Sequence, residues 1–185
     1  MESLTLETLV KCCPGLPLPR AALYLPHLKA ALLEAGIDTP KRLAAFLSQV
    51  GHESGSFRWL QEIWGPTPQQ LKYEPPSSLA KTLGNTEKGD GYRYRGRGSL
   101  QLTGRANYVK AGKDLGIDLE GNPDLAAAPE HAFRIAGWYW KKHGLNDLAD
   151  SGDFEKITRK INGGLTGQPD RLKRYELAKK ALGVP

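Results

Sequence analysis

The chain has only two cysteines, Cys12 and Cys13, and they are neighbours. A disulfide between adjacent residues strains the backbone, so no disulfide framework is available, and the composition suits a reducing compartment. No stretch approaches the ~18 consecutive apolar residues of a membrane span. The opening run MESLTLETLVKCCPGLP has neither the basic n-region nor the continuous apolar h-region of a secretory signal, so synthesis in the cytoplasm is expected. There are no internal repeats and no low-complexity tract. No segment alternates at period two, which excludes an architecture built on sheets.

What is present is ordinary globular chemistry with a basic bias. Hydrophobic residues make up 39% and charged residues 25%, which excludes disorder. A chain of 185 residues can bury a substantial core without staples. Residues 1–185 are read as a single domain of two lobes sharing one cleft, monomeric by default, with residues 1–38 as an N-terminal helical segment. The formal net charge of +6 favours anionic partners, among which nucleic acid, anionic membranes and bacterial cell wall all qualify.

The predicted fold class is mainly α, with at most a small hairpin in a central loop. Thr39 is a suitable N-cap and Pro40 a suitable first helical residue. Leu43, Phe46, Leu47 and Val50 follow at helical spacing, and small residues cover the other side, so this helix is expected to pack on two sides. Leu28, Leu32 and Leu33 suggest a helix after Pro26. Thr103 is expected to cap a helix reaching about Leu115. Pro129 opens a stretch stopped by Gly144, and Phe154, Ile157 and Ile161 mark another stopped by Gly163-Gly164. Pro169 opens the last helix, before Gly183. The region from about Gly65 to Gly98, rich in Gly, Pro and Tyr, reads as loop.

Glu53 lies on the shoulder of the apolar stripe, beside Phe46 and Val50. A carboxyl there can line a cleft while partly desolvated, which favours the protonated form a general acid needs. The adjacent His52 invites comparison with zinc proteases, but the second histidine of that pattern is missing, so no metal is expected. His52 reads instead as a hydrogen-bonding residue near the substrate. Glu62 follows a glycine break and can face Glu53 across a turn; Glu74, Glu87 and Asp90 are rival bases. In Tyr92-Arg93-Tyr94-Arg95-Gly96-Arg97-Gly98, interleaved arginines and tyrosines suit nucleic acid or a sugar polymer, with Tyr94 and Arg97 as candidate contacts. Thr103 offers a hydroxyl that can hold a water, and Gln101 and Asn107 offer amides suited to N-acetyl groups. Asn162-Gly163-Gly164 joins an amide to glycines that allow close approach.

The set GHES, YRYRGRGSLQLTGRANY and INGG followed by DRLKRY resembles glycoside hydrolase family 19, which holds plant-type chitinases and many phage and prophage endolysins. The run FLSQVGHESGSFRWLQEIWGPTPQQLKYE resembles the compact endolysin branch, and the likeness covers roughly Thr39 to the C-terminus. It implies a helical, lysozyme-like fold of two lobes and a cleft. It also implies hydrolysis of β-1,4 linkages between amino sugars with inversion and without cofactor. Glu53 matches the general acid and Thr103 the hydroxyl that holds the nucleophilic water. Gln101, Asn107 and Asn162 match amides that contact substrate. Arg171 matches an arginine that orders the charged network of the cleft, and Glu62 the second glutamate of the endolysin branch. In the plant-type enzymes that second glutamate lies further along, in a longer loop.

The expectation drawn from this resemblance is a muramidase acting on peptidoglycan strands, made in the host bacterial cytoplasm and reaching the periplasmic wall after holin-type release. The alternatives are a chitinase acting on chitin oligomers and a non-catalytic module that binds wall or nucleic acid. The basic segment Arg171–Leu182, with Leu172, Tyr175, Ala178 and Leu182 taken as one side, adds an expectation of outer-membrane contact.

Overall fold

A computed structural model describes residues 4–185. The first three residues of the expected N-terminal helical segment lie outside the described residues. The architecture is helical, and among the described residues the only extended pairing is two isolated bridges, Gln61 with Arg97 and Arg97 with Leu102. The expected hairpin is reduced to these.

The first helices, α1 (Leu6–Cys12) and α2 (Leu18–Glu34), precede the sequence signal that had been read after Pro26. Helix α2 runs straight through Pro26. Proline removes one helical donor there, and packing compensates: Leu28, Ala31 and Leu32 are buried on the side that meets α8 (Pro129–Lys142). Leu33, taken with them from the sequence, faces solvent.

Helix α3 (Pro40–Glu53) starts as expected, with the Thr39 side chain accepting the Arg42 N–H at 3.2 Å. Every residue from Leu43 to Gly51 is buried. It lies between α11 (Gln168–Leu182), α1 and α9 (Leu145–Ser151), so it has no solvent face over that length. Phe46 meets Trp140 of α8 edge to face, with centroids 5.3 Å apart. Truncating such a buried aromatic costs about 3–5 kcal/mol.

The segment read as loop contains three short helices: α4 (Pro68–Leu71), α5 (Ser78–Leu83) and α6 (Asp90–Arg93). Each is a turn or two long, below the length at which periodicity becomes readable. Helix α7 (Arg105–Leu115) follows, but Thr103 does not cap it; the N-cap is Gly104, without a side-chain cap bond. Only glycine fits there. Its φ is +91°, and an added Cβ would stand 2.6 Å from the carbonyl oxygen of Leu83. Helix α10 (Phe154–Asn162) ends at Gly163 as the sequence indicated.

Two apolar clusters organise the molecule. The larger joins α1, α2, α3, α9, α10 and α11 to one side of α8 through Phe133, Ala136 and Trp140. The smaller gathers Tyr94, Tyr108, Ala111, Leu119, Ala126 and Ile135, with Trp138 partly buried against it. Helix α8 therefore contributes to both. On α11, Tyr175 and Ala178 are buried towards the large cluster while Leu172 is exposed. The apolar side expected for membrane contact is thus divided, its central residues being used for packing.

Candidate active site

Glu53 is the last residue of α3, and its side chain is 22% exposed. Its Oε1 accepts from Nη2 of Arg171, a guanidinium only 1% exposed on the first turn of α11. Arg171 also donates from Nη1 to Gln49 Oε1 at 2.6 Å and from Nε to the Thr166 carbonyl at 3.2 Å. Gln49 in turn donates to the Thr158 hydroxyl of α10 at 2.8 Å. The guanidinium is buried with its charge met by a carboxylate and its hydrogens shared among three acceptors, the condition under which such burial is tolerated. Arg171 is therefore a support for Glu53, and it has no exposed surface with which to touch a substrate. Glu53 Oε2 makes no hydrogen bond with a described residue.

His52, beside it, is engaged from Nδ1 with Asp170 Oδ2 at 2.7 Å. Because a carboxylate only accepts, Nδ1 carries the proton and Nε2 is left for other contacts. Burial works to raise the Asp170 carboxyl, but hydrogen bonds from Arg174 and His52 prevail and hold it below the usual carboxylate range. Arg174 continues the network to the Ser56 hydroxyl at 2.9 Å.

Glu62 belongs to the other side. Its backbone N–H donates to the Gly96 carbonyl at 2.8 Å, and its Oε2 accepts the Gly96 N–H at 3.0 Å. Its Oε1 accepts from Gln70 Nε2 at 2.9 Å. Gln70 is buried and spends its amide fully, donating also to the Ile63 carbonyl and accepting from the N–H groups of Gly65 and Thr67. A capping box with Thr67 fixes Gln70 on α4. Burial, then the nearby charge of Glu62, pushes the Tyr73 phenol up from its ordinary value, which places Tyr73 against the same carboxylate.

Gly96 is the meeting point. A Cβ there would stand 2.6 Å from Gln101 Oε1 and 3.3 Å from Glu62 Oε2, so the amide and the carboxylate converge over this glycine. Gln101 holds a φ of +54°, unusual for a side chain with a Cβ and an indication of a residue held for a purpose. Its Nε2 donates to the Gly98 carbonyl at 3.0 Å. Thr103 donates its hydroxyl to the Gln101 carbonyl at 2.9 Å, which leaves its lone pairs free to accept. Asn107 donates to the Thr103 carbonyl at 2.7 Å and is exposed. Gln101, Thr103 and Asn107 line one cavity of about 280 Å³, floored by Leu100, Leu102 and Ile161. Asn162, next to Ile161, is exposed at the end of α10.

Two of the expected contacts are corrected. Tyr94 is 1% exposed, with its hydroxyl on the Glu120 carbonyl at 3.2 Å. Arg97 is 2% exposed, paired with Asp124 at 2.6 Å and bonded to the Tyr108 hydroxyl at 3.0 Å. Neither reaches a substrate; they are internal struts of the small lobe. Arg95 is also buried, over the Tyr92 ring at 4.1 Å. Tyr94, Arg95 and Arg97 are thus folded into the core while Tyr92 and Arg93 stay exposed, so most of the interleaved arginines and tyrosines are not presented as a surface. Aromatic rings next to arginines gave the wrong signal because Arg can bury its stem and stack its plane inside a protein as well as on a ligand.

The rival bases are occupied too. Asp90 is buried and takes Arg105 in two bonds of 2.7 and 3.0 Å, with two backbone N–H groups. Glu74 accepts from the N–H groups of Gly89 and Tyr92. Glu87 is exposed at the surface beside Arg105. Sequence reasoning missed Gln49 and Gln70. Gln49 was detectable as a polar residue one turn before Glu53 on a helix expected to be packed on both sides, and Gln70 as the end of a Thr-x-x-Gln capping pattern.

The family profile described as chitinase class I matches residues 29–154. The chain belongs to glycoside hydrolase family 19. A glycosyl hydrolase family 19 domain-containing protein of Haemophilus influenzae is 39% identical over 171 residues, covering 80% of this chain and 84% of that one. An endochitinase of Arabidopsis thaliana is 39% identical over 130 residues, covering 70% of this chain but only 41% of its own length. Among solved structures, a bacterial family 19 chitinase superposes with a TM-score of 0.77 at 27% identity, covering 99% of this chain and 96% of that one. Chitinase C of Streptomyces griseus gives 0.74 at 23% identity over 98% and 93%, a likeness of fold. The protein is a glycoside hydrolase with the lysozyme-like fold of this family.

Proposed function

We propose that this family 19 enzyme hydrolyses the β-1,4 bonds of peptidoglycan glycan strands with inversion, as a compact endolysin-type muramidase. Glu53 is the general acid. With Oε1 engaged by Arg171, its free Oε2 is the oxygen that delivers the proton to the glycosidic oxygen. Glu62 is the base. Its carboxylate is held from two directions, by Gly96 and Gln70, and it takes a proton from a water that Thr103 accepts and orients. An inverting pair needs a separation of about 6.5–9.5 Å to admit that water. Amides from Gln101, Asn107 and Asn162 hold the sugar N-acetyl and hydroxyl groups as positive charge develops on the ring. No step calls for a cofactor.

The observation that carries the reading is the convergence of Glu62 and Gln101 over Gly96 with Thr103 alongside. For the substrate, the support is the charge of +6, which suits an anionic wall and gives no advantage on uncharged chitin. Hydrolysis of chitin oligomers is the second reading, favoured by the endochitinases among the relatives. In the first reading the enzyme acts as a monomer on the periplasmic wall after holin-type release. The deciding experiment is digestion of purified peptidoglycan, borohydride reduction and mass analysis of the new ends. Reduced muramic ends are expected. Reduced glucosamine ends would reassign the bond, and no new ends alongside cleavage of chitin oligomers would establish the second reading.

A further inference from the structure

The cavity that begins at Gln101, Thr103 and Asn107 does not end with them. It continues between the lobes to Lys110 on α7 and to Tyr139 and His143 at the end of α8. Its floor is apolar, from Leu100 and Ile161 on the large-lobe side and Leu102 and Trp138 on the small-lobe side. At the far end the His143 ring lies on the Tyr139 ring, 3.9 Å between centroids and 24° from parallel. His143 Nδ1 donates to the Tyr139 carbonyl at 2.8 Å, which fixes the ring and turns Nε2 outward as the free nitrogen. The Tyr139 hydroxyl is tied to the Lys160 carbonyl at 2.7 Å, so the platform is built rather than loose.

Charge distinguishes this end of the cavity. No aspartate or glutamate lines it, and the Lys110 ammonium makes no ion pair with a described residue. The nearest acid along α7, Asp114, is one turn on and already committed to Lys142 and to the Trp138 indole. The groove between α2, α7 and α8 is the instructive contrast. It also contains cations, but they are neutralised within it: Arg134 by Glu34 at 2.7 Å and Lys142 by Asp114. A neutral polymer of N-acetylglucosamine has no use for an ammonium that makes no direct ion pair and is balanced only at a distance by Asp114. A muramic sugar does, because its 3-O-lactyl group and stem peptide add carboxylates and methyl groups to the same ring.

We propose that the Lys110–His143 end of the cleft is a subsite for the acidic lactyl-peptide substituent of a muramic residue, Lys110 meeting its carboxylate and the Tyr139–His143 stack and Trp138 packing its apolar part. The inference rests on the peptidoglycan reading and gives that reading a residue-level source of specificity. A sugar held there would set which residue of the alternating strand lies next to Glu53.

The test separates the two ideas. Hydrolysis of peptidoglycan by the wild-type enzyme tests the reading, as above. The subsite is tested by binding alone, in the Glu53→Gln protein, which keeps ligands uncut. Three probes are titrated calorimetrically: a reduced disaccharide tetrapeptide, the same disaccharide stripped to its lactyl carboxylate, and chitotetraose. Lys110→Glu is then compared with Lys110 intact; the site is exposed, and the melting temperature confirms folding. The expected result is that Kd for acidic probes rises roughly tenfold more than Kd for chitotetraose, with Lys110→Ala giving roughly three- to fivefold, the scale of a solvent-exposed ion pair. Loss for the stripped probe assigns the contact to its free lactyl carboxylate, and loss for the peptide-bearing probe, whose lactyl carboxyl is tied up in the amide to the stem, assigns it to a stem carboxylate; either supports the subsite. Equal changes for all three probes would overturn it, whatever the wild type does to peptidoglycan.

Discussion

The two glutamates stand in lobes that hold them by different means. Glu53 ends a helix buried on all sides, and its carboxylate is set by side chains: Arg171, then Gln49, then Thr158, drawn from three helices far apart in sequence. Glu62 lies on an irregular segment just after the Gln61–Arg97 bridge, and its carboxylate is set by one backbone N–H and a single amide, with Gly96 on one side and Gln70 on the other. The large lobe thus fixes its carboxylate through tertiary packing, and the small lobe through local chain geometry. Damage to the charged first anchor should therefore cost more stability than damage to the neutral second one, whose effect should weigh more on rate.

The strongest break is chemical. Glu53→Gln keeps the shape of the pair with Arg171 and removes the proton donor. Turnover should fall by about 10³-fold, within the range of general acid catalysis, and the melting temperature should fall as well, because the buried Arg171 loses its carboxylate partner. Glu62→Gln should lower kcat by about 10²-fold or more, since an amide is no base and its NH2 must face one of the two donors, Gly96 N–H or Gln70 Nε2, that hold the carboxylate. Arg171→Ala then separates the lobes. It leaves Glu53, Gln49 and the Thr166 carbonyl without their donor, and thermal or urea unfolding should show a loss of about 3–5 kcal/mol together with lost activity. Gln70→Leu, the counterpart in the small lobe, should lower kcat by about tenfold, more than any rise in KM, and lower the melting temperature by less than Arg171→Ala does, through the unpartnered N–H groups of Gly65 and Thr67. A Gln70→Leu protein with unchanged kcat would show that Gly96 alone positions Glu62.

The smallest effect is in acid. In the small lobe, burial works against ionisation of Asp90, but Arg105 and the N–H groups of Glu87 and Thr86 outweigh it, so the carboxyl sits below its ordinary 3.8. A carboxylate depressed on folding contributes stability that is present above its unfolded value and drains away as pH falls through the folded one. Acid titration of the fold should therefore show a loss below about pH 4 that is shallower in Asp90→Asn, read by circular dichroism.

The lobes also differed in how much of them the sequence revealed. In the large lobe, helix starts and stops were legible because Thr39-Pro40, Pro129 and the glycines at 144, 163 and 183 act locally, through caps and fixed φ. What failed there was Pro26, where packing of α2 on α8 outweighed a helix-breaking residue. In the small lobe, the elements are a turn or two long and carry no period to read. Arg97 and Tyr94 were assigned outward because charge and aromatic content alone do not say which way a residue points; only Asp124, Tyr108 and the Glu120 carbonyl, distant in sequence, decide it. Glu53 stood out through the GHES motif and the family resemblance, since a place at the end of a patterned helix reads equally well as an exposed terminal glutamate. Gln49 and Gln70 carried only weak signals, a polar residue on a two-sided helix and a capping pattern, and neither signal says which carboxylate the amide will hold.

The two-carboxylate account is tested most directly by the anomeric form of the first product. A soluble oligomer that the enzyme cleaves, from peptidoglycan or chitin, is followed by proton NMR from the first minute, before mutarotation. If Glu53 protonates the leaving oxygen while Glu62 activates a water on the opposite face, the new reducing end appears first as the α-anomer and the β-anomer grows in later. A β-anomer at first appearance would mean a covalent glycosyl-enzyme, and the roles given to Glu62 and Thr103 would be wrong.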